Sequence, residues 1–292
     1  MVNMLPDTES PYEQFVAAVN RKRKGPERDT LQELLPLIQD CFGKFRQRFD
    51  ENGLELVEPN RNLDESKDCL VGLFSSKCKL IKDFRTRFFN RNLQTYYNVC
   101  PYCTINTANT TDHILPKERF PEYAVNVLNL IPCCSQCNSL KGEEVVNGVG
   151  KRVFLNFYND RLFSEQFLFL HFEFRNGSLN LHYYLQKPDS MSEDSFSLIS
   201  RHFNKLKLLS DEEVGVFDSR AISNLTDLTN DYLKENFQSE EDYCSFTRLQ
   251  LNWCDSVRDS YGINHWRVVL KKSAAESRVF KDYIFDKLSH LS

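Results

Sequence analysis

From its start to about residue 95, the chain places apolar residues at helical spacing. Leu31, Leu34, Leu35, Ile38, Phe42, Phe45 and Phe49 form one such face, with Thr30 and Glu33 as a capping box ahead of it and Asn52-Gly53 as its stop. Cys69, Leu73, Leu80, Ile81, Phe84 and Phe88 repeat the spacing in a second helix. Between Phe167 and Leu185 the period changes to two. Leu168, Leu170, Phe172 and Phe174 share a face, Asn176-Gly177 follows, and Leu179, Leu181, Tyr183 and Leu185 resume the alternation. This predicts a β-hairpin closed by a type I′ turn. Helical spacing returns from about Ser192, as in Phe246, Leu249, Trp253 and Val257, with Gly262 as a C-cap candidate. The pattern predicts an α+β, predominantly helical chain: a helical region over 1–95, a central segment over 96–150, and a hairpin followed by helices over 151–292.

Composition narrows the picture. The 292 residues, 41% hydrophobic, are enough for an ordinary buried core. A formal net charge of -4 announces no overall basic field, so any nucleic-acid contact must use local patches. One candidate is Lys77, Lys79, Lys82, Arg85, Arg87 and Arg91, which face only Asp83; a second is Arg21 through Lys24. Solvated helix faces explain both patches equally well. Met1 to Ser10 has no basic stretch leading into an apolar run, so a cytoplasmic location is expected. The longest charge-free stretch, Tyr123 to Leu140, is broken by Asn126, Asn129, Pro132, Gln136 and Asn138, which excludes it as a membrane span.

Ten cysteines in a reducing compartment argue for metal binding, because four are paired at two-residue spacing. Cys100 and Cys103 form one CxxC knuckle, and Cys134 and Cys137 form another. Four thiolates in two knuckles match a closed, structural tetrahedral Zn²⁺ site. Cys133 competes with Cys134 for a place in it; the two-residue spacing favours Cys134. Cys41, Cys69, Cys78, Cys244 and Cys254 fall on or near apolar helix faces and read as core thiols. His171, His182, His202, His265 and His290 read as packed or capping residues.

Between the knuckles lie Asp112-His113-Ile114-Leu115-Pro116 and Asn129-Leu130-Ile131-Pro132, and Cys137-Asn138 is followed by Lys141-Gly142. This arrangement, over Cys100 to Gly142, resembles the HNH endonuclease superfamily. The resemblance implies a zinc-stapled ββα-metal motif, with Asp112-His113 on the first strand, Asn129 at the second and Asn138 on the helix. It implies His113 as general base, and Asp112 and Asn138 as ligands of one catalytic Mg²⁺ or Mn²⁺. Asn129 would align the loop that aims His113, and Lys117, Arg119 and Lys141 are candidates for phosphate contacts. The segment is also similar to HNH proteins of bacterial antiphage and restriction loci, such as the Septu nuclease component, often found beside an ATPase.

The chemistry agrees with that likeness. Phosphodiester hydrolysis needs a base for water and a cation against the developing charge, and a carboxylate with an amide oxygen leaves Mg²⁺ open positions for both water and phosphate. The expectation is a metal-dependent endonuclease, with DNA as substrate and a role in defence against phage or foreign DNA. A partner ATPase, or self-association through the helical flanks, would supply control. The rival is a zinc ribbon that grips nucleic acid or scaffolds without cutting, which needs no Asp112, His113 or Asn138.

Overall fold

The computed structural model describes residues 1–75, 78–92, 98–161, 164–209 and 215–290. The chain forms two compact units, one of Asn3–Asp160 and one of Met1–Val2 with Arg161–Ser292. Apart from Met1–Val2, the expected 1–95 and 96–150 regions fall in the first unit, and the expected 151–292 region begins inside it. The architecture is α+β and mostly helical, with two small antiparallel sheets. No described helix is long and apolar enough to cross a membrane.

In the first unit, α1 (Pro11–Arg21) comes first, and α2 (Pro26–Glu33) and α3 (Leu35–Asp50) replace the single helix expected after Thr30. The first turn starts earlier because Pro26, with its φ preset, opens α2. Thr30 sits inside that helix and its carbonyl accepts from Leu34 N at 3.1 Å, so it is no cap. Pro36, which has no N–H to donate, falls in the first turn of α3, where none is needed. The helix ends as expected, with Asn52 at φ 53° and the Gly53 amide donating to Arg48 O at 2.9 Å.

The second predicted helix is also broken, into α4 (Lys67–Val71) and α5 (Lys79–Arg91). The break falls at Gly72, which closes α4. An added Cβ there would stand 2.9 Å from Asp68 O. Phe74, freed from the helix by this break, reaches the site described below.

β1 (Thr110–His113) pairs antiparallel with β2 (Leu130–Cys133), Asp112 opposite Ile131 and His113 opposite Leu130. A 3-10 turn, Val127–Asn129, delivers Asn129 just ahead of β2, and α6 (Ser135–Lys141) follows directly. This is the expected ββα order. Aromatic side chains seat it on the helices: Phe45 lies 4.8 Å from Tyr123, and Phe49 and Phe88 lie 5.8 and 6.3 Å from Tyr158.

In the second unit, β3 (Leu168–Arg175) and β4 (Ser178–Leu185) form the predicted hairpin. Asn176 and Gly177 both take positive φ, 54° and 76°, as a type I′ turn requires. The hairpin is followed by α7 (Glu193–Lys205), α8 (Val216–Lys234), α9 (Glu240–Ser256), α10 (Arg258–Tyr261), α11 (Trp266–Glu276) and α12 (Arg278–Ser289); α8, α11 and α12 pack on it, and α9 packs on α11. Phe172 meets Phe280 at 5.2 Å, and Tyr183 meets Phe217 at 5.8 Å. Gly262 closes α10 at φ 75°, with the Met1 carbonyl where a Cβ would lie. Four expectations fail here: Leu249 is 63% exposed and Cys244 is exposed on α9, and His171 and His182 are exposed on the hairpin, where His182 pairs with Asp218. His202 is packed and His265 caps α11, its Nδ1 accepting from Arg267 N.

Candidate active site and metal centre

Two tight turns bring the four paired cysteines together. In the first, the Cys100 amide donates to Asn106 O and the Thr104 amide to Cys100 O, both at 2.8 Å, with Thr104 at φ 56°. In the second, Cys134 caps α6 and its sulfur accepts from Cys137 N. Cys100, Cys103, Cys134 and Cys137 are all buried, and their sulfur atoms lie within 4.8 Å of one another. Cys103 Sγ and Cys134 Sγ are 3.9 Å apart. Tetrahedral zinc with bonds of about 2.3 Å sets its sulfurs about 3.8 Å apart, so the donor set fits Zn²⁺. Cys133 stays out of the cluster at the end of β2, opposite Thr110, and burial pushes its thiol well up.

The next strand positions on β1 carry Asp112 and His113, both buried. His113 Nε2 lies 2.8 Å from the Ala124 carbonyl. A carbonyl can only accept, so Nε2 carries the hydrogen and Nδ1 keeps the free lone pair. The edge of the ring meets Phe74, centroid to centroid 4.4 Å. Burial pulls the imidazole down to about 4, below the ordinary histidine range, so it is neutral at pH 7.

Asn129 is fully buried behind His113. Its Oδ1 accepts from Leu115 N at 2.7 Å, and its Nδ2 donates to Leu115 O at 2.9 Å and Tyr123 O at 3.2 Å. Its own carbonyl accepts from Ile114 N at 2.8 Å. Every polar atom of this side chain is thus spent on the loop after His113.

Asp112 Oδ2 accepts from the Tyr102 hydroxyl at 2.7 Å and stands 3.3 Å from Lys141 Nζ. Burial and the charge of Asp112 hold the Tyr102 phenol well above its usual range, so it is a donor here. Lys141 also donates to His113 O at 2.8 Å.

A cleft of about 370 Å³ opens beside these groups, lined among others by Asp112, His113, Asn138, Lys117, Glu118 and Glu143. The structure therefore brings Asp112, His113 and Asn138 to one cleft and keeps Asn129 behind it. Of the three basic candidates, Lys117 lines the cleft and pairs with Glu118. Arg119 stays outside it, over the Phe120 ring at 5.2 Å. Lys141 is only 2% exposed and held internally, so its ammonium braces the site from within and does not face a phosphate.

The basic helix α5 is likewise mostly spoken for. Arg85 donates to the carbonyls of Ala108 and Thr110, Arg87 forms a bidentate pair with Asp7 at 2.7–3.1 Å, and Arg91 donates to Pro6 O at 3.0 Å. Lys77 lies outside the described residues. Phe74, Tyr102, Glu118 and Glu143 are the site residues that spacing did not single out.

Residues 100–144 match the model of the HNH endonuclease family. Among curated proteins, the chain is similar to protein ea31 of Escherichia phage lambda, 23% identical over 224 residues that cover 70% of this chain and 74% of that protein. No solved structure gives a significant match. The matched HNH segment is the stretch that holds the cysteine cluster, Asp112, His113, Asn129 and Asn138.

Proposed function

We propose that the protein is a metal-dependent HNH endonuclease that hydrolyses phosphodiester bonds of DNA, with His113 as the general base. The observation that carries this reading is the contact between His113 Nε2 and the Ala124 carbonyl, which fixes the tautomer. The Nε2 hydrogen is committed to Ala124 O, and the basic Nδ1 belongs to a neutral ring that lines the same cleft as Asp112 and Asn138. Such a nitrogen can take a proton from a water aligned on phosphorus.

Asp112 and Asn138 are the residues that would hold a divalent cation, Mg²⁺ or Mn²⁺. An acidic oxygen and an amide oxygen in one polar cleft suit a hard ion. When bound, that cation supplies charge neutralisation for the phosphoryl group and the departing oxygen. Asn129 fixes the loop that follows His113, Lys117 would have to leave Glu118 to meet a phosphate, and a zinc on the four cysteines would be a folding element.

The same proposal extends to a role in bacterial defence against phage or foreign DNA. Control by a partner protein or by self-association belongs to the same proposal. Light scattering on the purified chain reads the second of these directly.

Plasmid digestion tests the activity. Purified protein should cut with Mg²⁺ or Mn²⁺ and stop with EDTA, and His113→Ala should keep its zinc and unfolding profile while losing cleavage by on the order of a hundredfold or more. Wild-type rates from His113→Ala would remove His113 as the base, and a wild type that binds DNA but never cuts it would leave a zinc-stapled binding module.

A further inference from the structure

Tyr102 lies inside the first zinc knuckle, between two ligands, yet its hydroxyl reaches the carboxylate that the proposed mechanism assigns to the catalytic cation. Its path is fixed at both ends. The knuckle turn holds the backbone through Cys100 and Thr104, and the ring packs on Phe157 at 5.6 Å. Tyr102 and Asp112 are 2% and 4% exposed, so no bulk water competes for the bond between them.

The two oxygens of Asp112 are unequally engaged. Oδ2 takes the phenol at 2.7 Å and the Lys141 ammonium at 3.3 Å, whereas Oδ1 has Lys141 at 3.5 Å, near the limit of a hydrogen bond. A carboxylate pinned by one oxygen has its torsion set, and its other oxygen is left to bond in one direction. Asp112 itself lines the cleft.

We propose that Tyr102 is a positioning residue through which the zinc knuckle sets the orientation of Asp112 for a divalent cation. The zinc site then does more than staple the fold: the turn it closes aims a ligand of a second metal. This rests on the reading of Asp112 as a cation ligand. Hydrogen bonds that orient a ligating carboxylate are typically worth about 10–100-fold in metal affinity.

The test is Tyr102→Phe in the full chain, with zinc content, thermal unfolding, direct Mn²⁺ binding by electron paramagnetic resonance, and cleavage as a function of Mn²⁺. Zinc should remain near the wild-type level and the Mn²⁺ Kd should rise about 10–100-fold, with most cleavage recovered at saturating Mn²⁺. Asp112→Ala should abolish Mn²⁺ binding, and adding Tyr102→Phe to it should change nothing further. If Tyr102→Phe binds Mn²⁺ like wild type while Asp112→Ala does not bind, this inference fails and Asp112 stands as a ligand. If Asp112→Ala also binds normally, both readings fall. Should Tyr102→Phe lose zinc, Tyr102→4-fluorophenylalanine fills the hydroxyl's space without a donor. With zinc retained, a raised Kd supports the inference and an unchanged one overturns it; loss of zinc there too makes Tyr102 a folding residue of the knuckle and overturns it.

Discussion

Asn129 grips Leu115 by both of its backbone polar groups, taking its N–H at 2.7 Å and giving a hydrogen to its carbonyl at 2.9 Å. An amide side chain matches a peptide group in this way because it offers one acceptor and one donor side by side. The loop after His113 is therefore held as though it were paired to a further strand. Asn129→Asp should be worse than its size suggests, since the carboxylate presents an oxygen where Leu115 O and Tyr123 O each need a donor. Chemical unfolding should show a loss of about 2–4 kcal/mol for Asn129→Asp or Asn129→Ala, from buried groups left unpaired. Cleavage should fall with it, and a variant as stable and active as wild type would remove the clamp from the account.

Zinc content separates the cysteines. Elemental analysis should give about one zinc per chain, since one tetrahedral set is assembled. Cys100→Ser and Cys137→Ser should lower it and lower the melting temperature, because the metal's binding free energy is folding free energy. Cys133→Ser should keep its zinc. Loss of zinc from Cys133→Ser alone would contradict the cluster.

Glu122 gives a pH-dependent prediction. It is fully buried, with Oε1 accepting from Asn60 N at 3.0 Å and Oε2 unpaired, and burial raises its carboxyl above the usual range. A folded pKa above the unfolded one means that its contribution to stability is present below the unfolded value and lost as pH rises through the folded value. Glu122→Gln keeps the acceptor for Asn60 and removes the buried charge. At pH 7 it should melt about 2–4 °C above wild type, corresponding to about 1 kcal/mol, and the advantage should vanish near pH 4. An equal gain at both pH values would rule out the charge as its source.

Arg87 distinguishes a structural brace from a nucleic-acid patch. Its guanidinium is bidentate on Asp7, whose side chain is fully buried, and also donates to Gln14 at 2.6 Å. Removing one partner of such a pair strands the other charge. Arg87→Ala should therefore cost about 3–5 kcal/mol in unfolding while leaving DNA affinity at low temperature unchanged. Weaker DNA binding with unaltered stability would restore the patch.

The grouping of the centre was legible in the sequence because its parts are local. The two knuckles, Asp112-His113, Asn129 and Asn138 all fall within residues 100–144, where spacing along the chain constrains spacing in space. The 167–185 hairpin was legible for the same reason, since Asn176-Gly177 selects its turn by backbone sterics alone. Helix breaks at Leu34 and Gly72 were not, because the apolar period continues across both and gives no sign of the local ends that Pro36 and Gly72 mark. Neither was the fate of the basic residues. Charge is a property of sequence, but exposure depends on partners such as Asp7, which is 80 residues from Arg87. The same distinction governs the site itself: its residue types were set by the sequence. The tertiary structure alone decided that Phe74 would meet His113, that Tyr102 would hold Asp112, and that Lys141 would turn inward, since hydrogen bonds and burial at that range exist only once the chain has closed on itself.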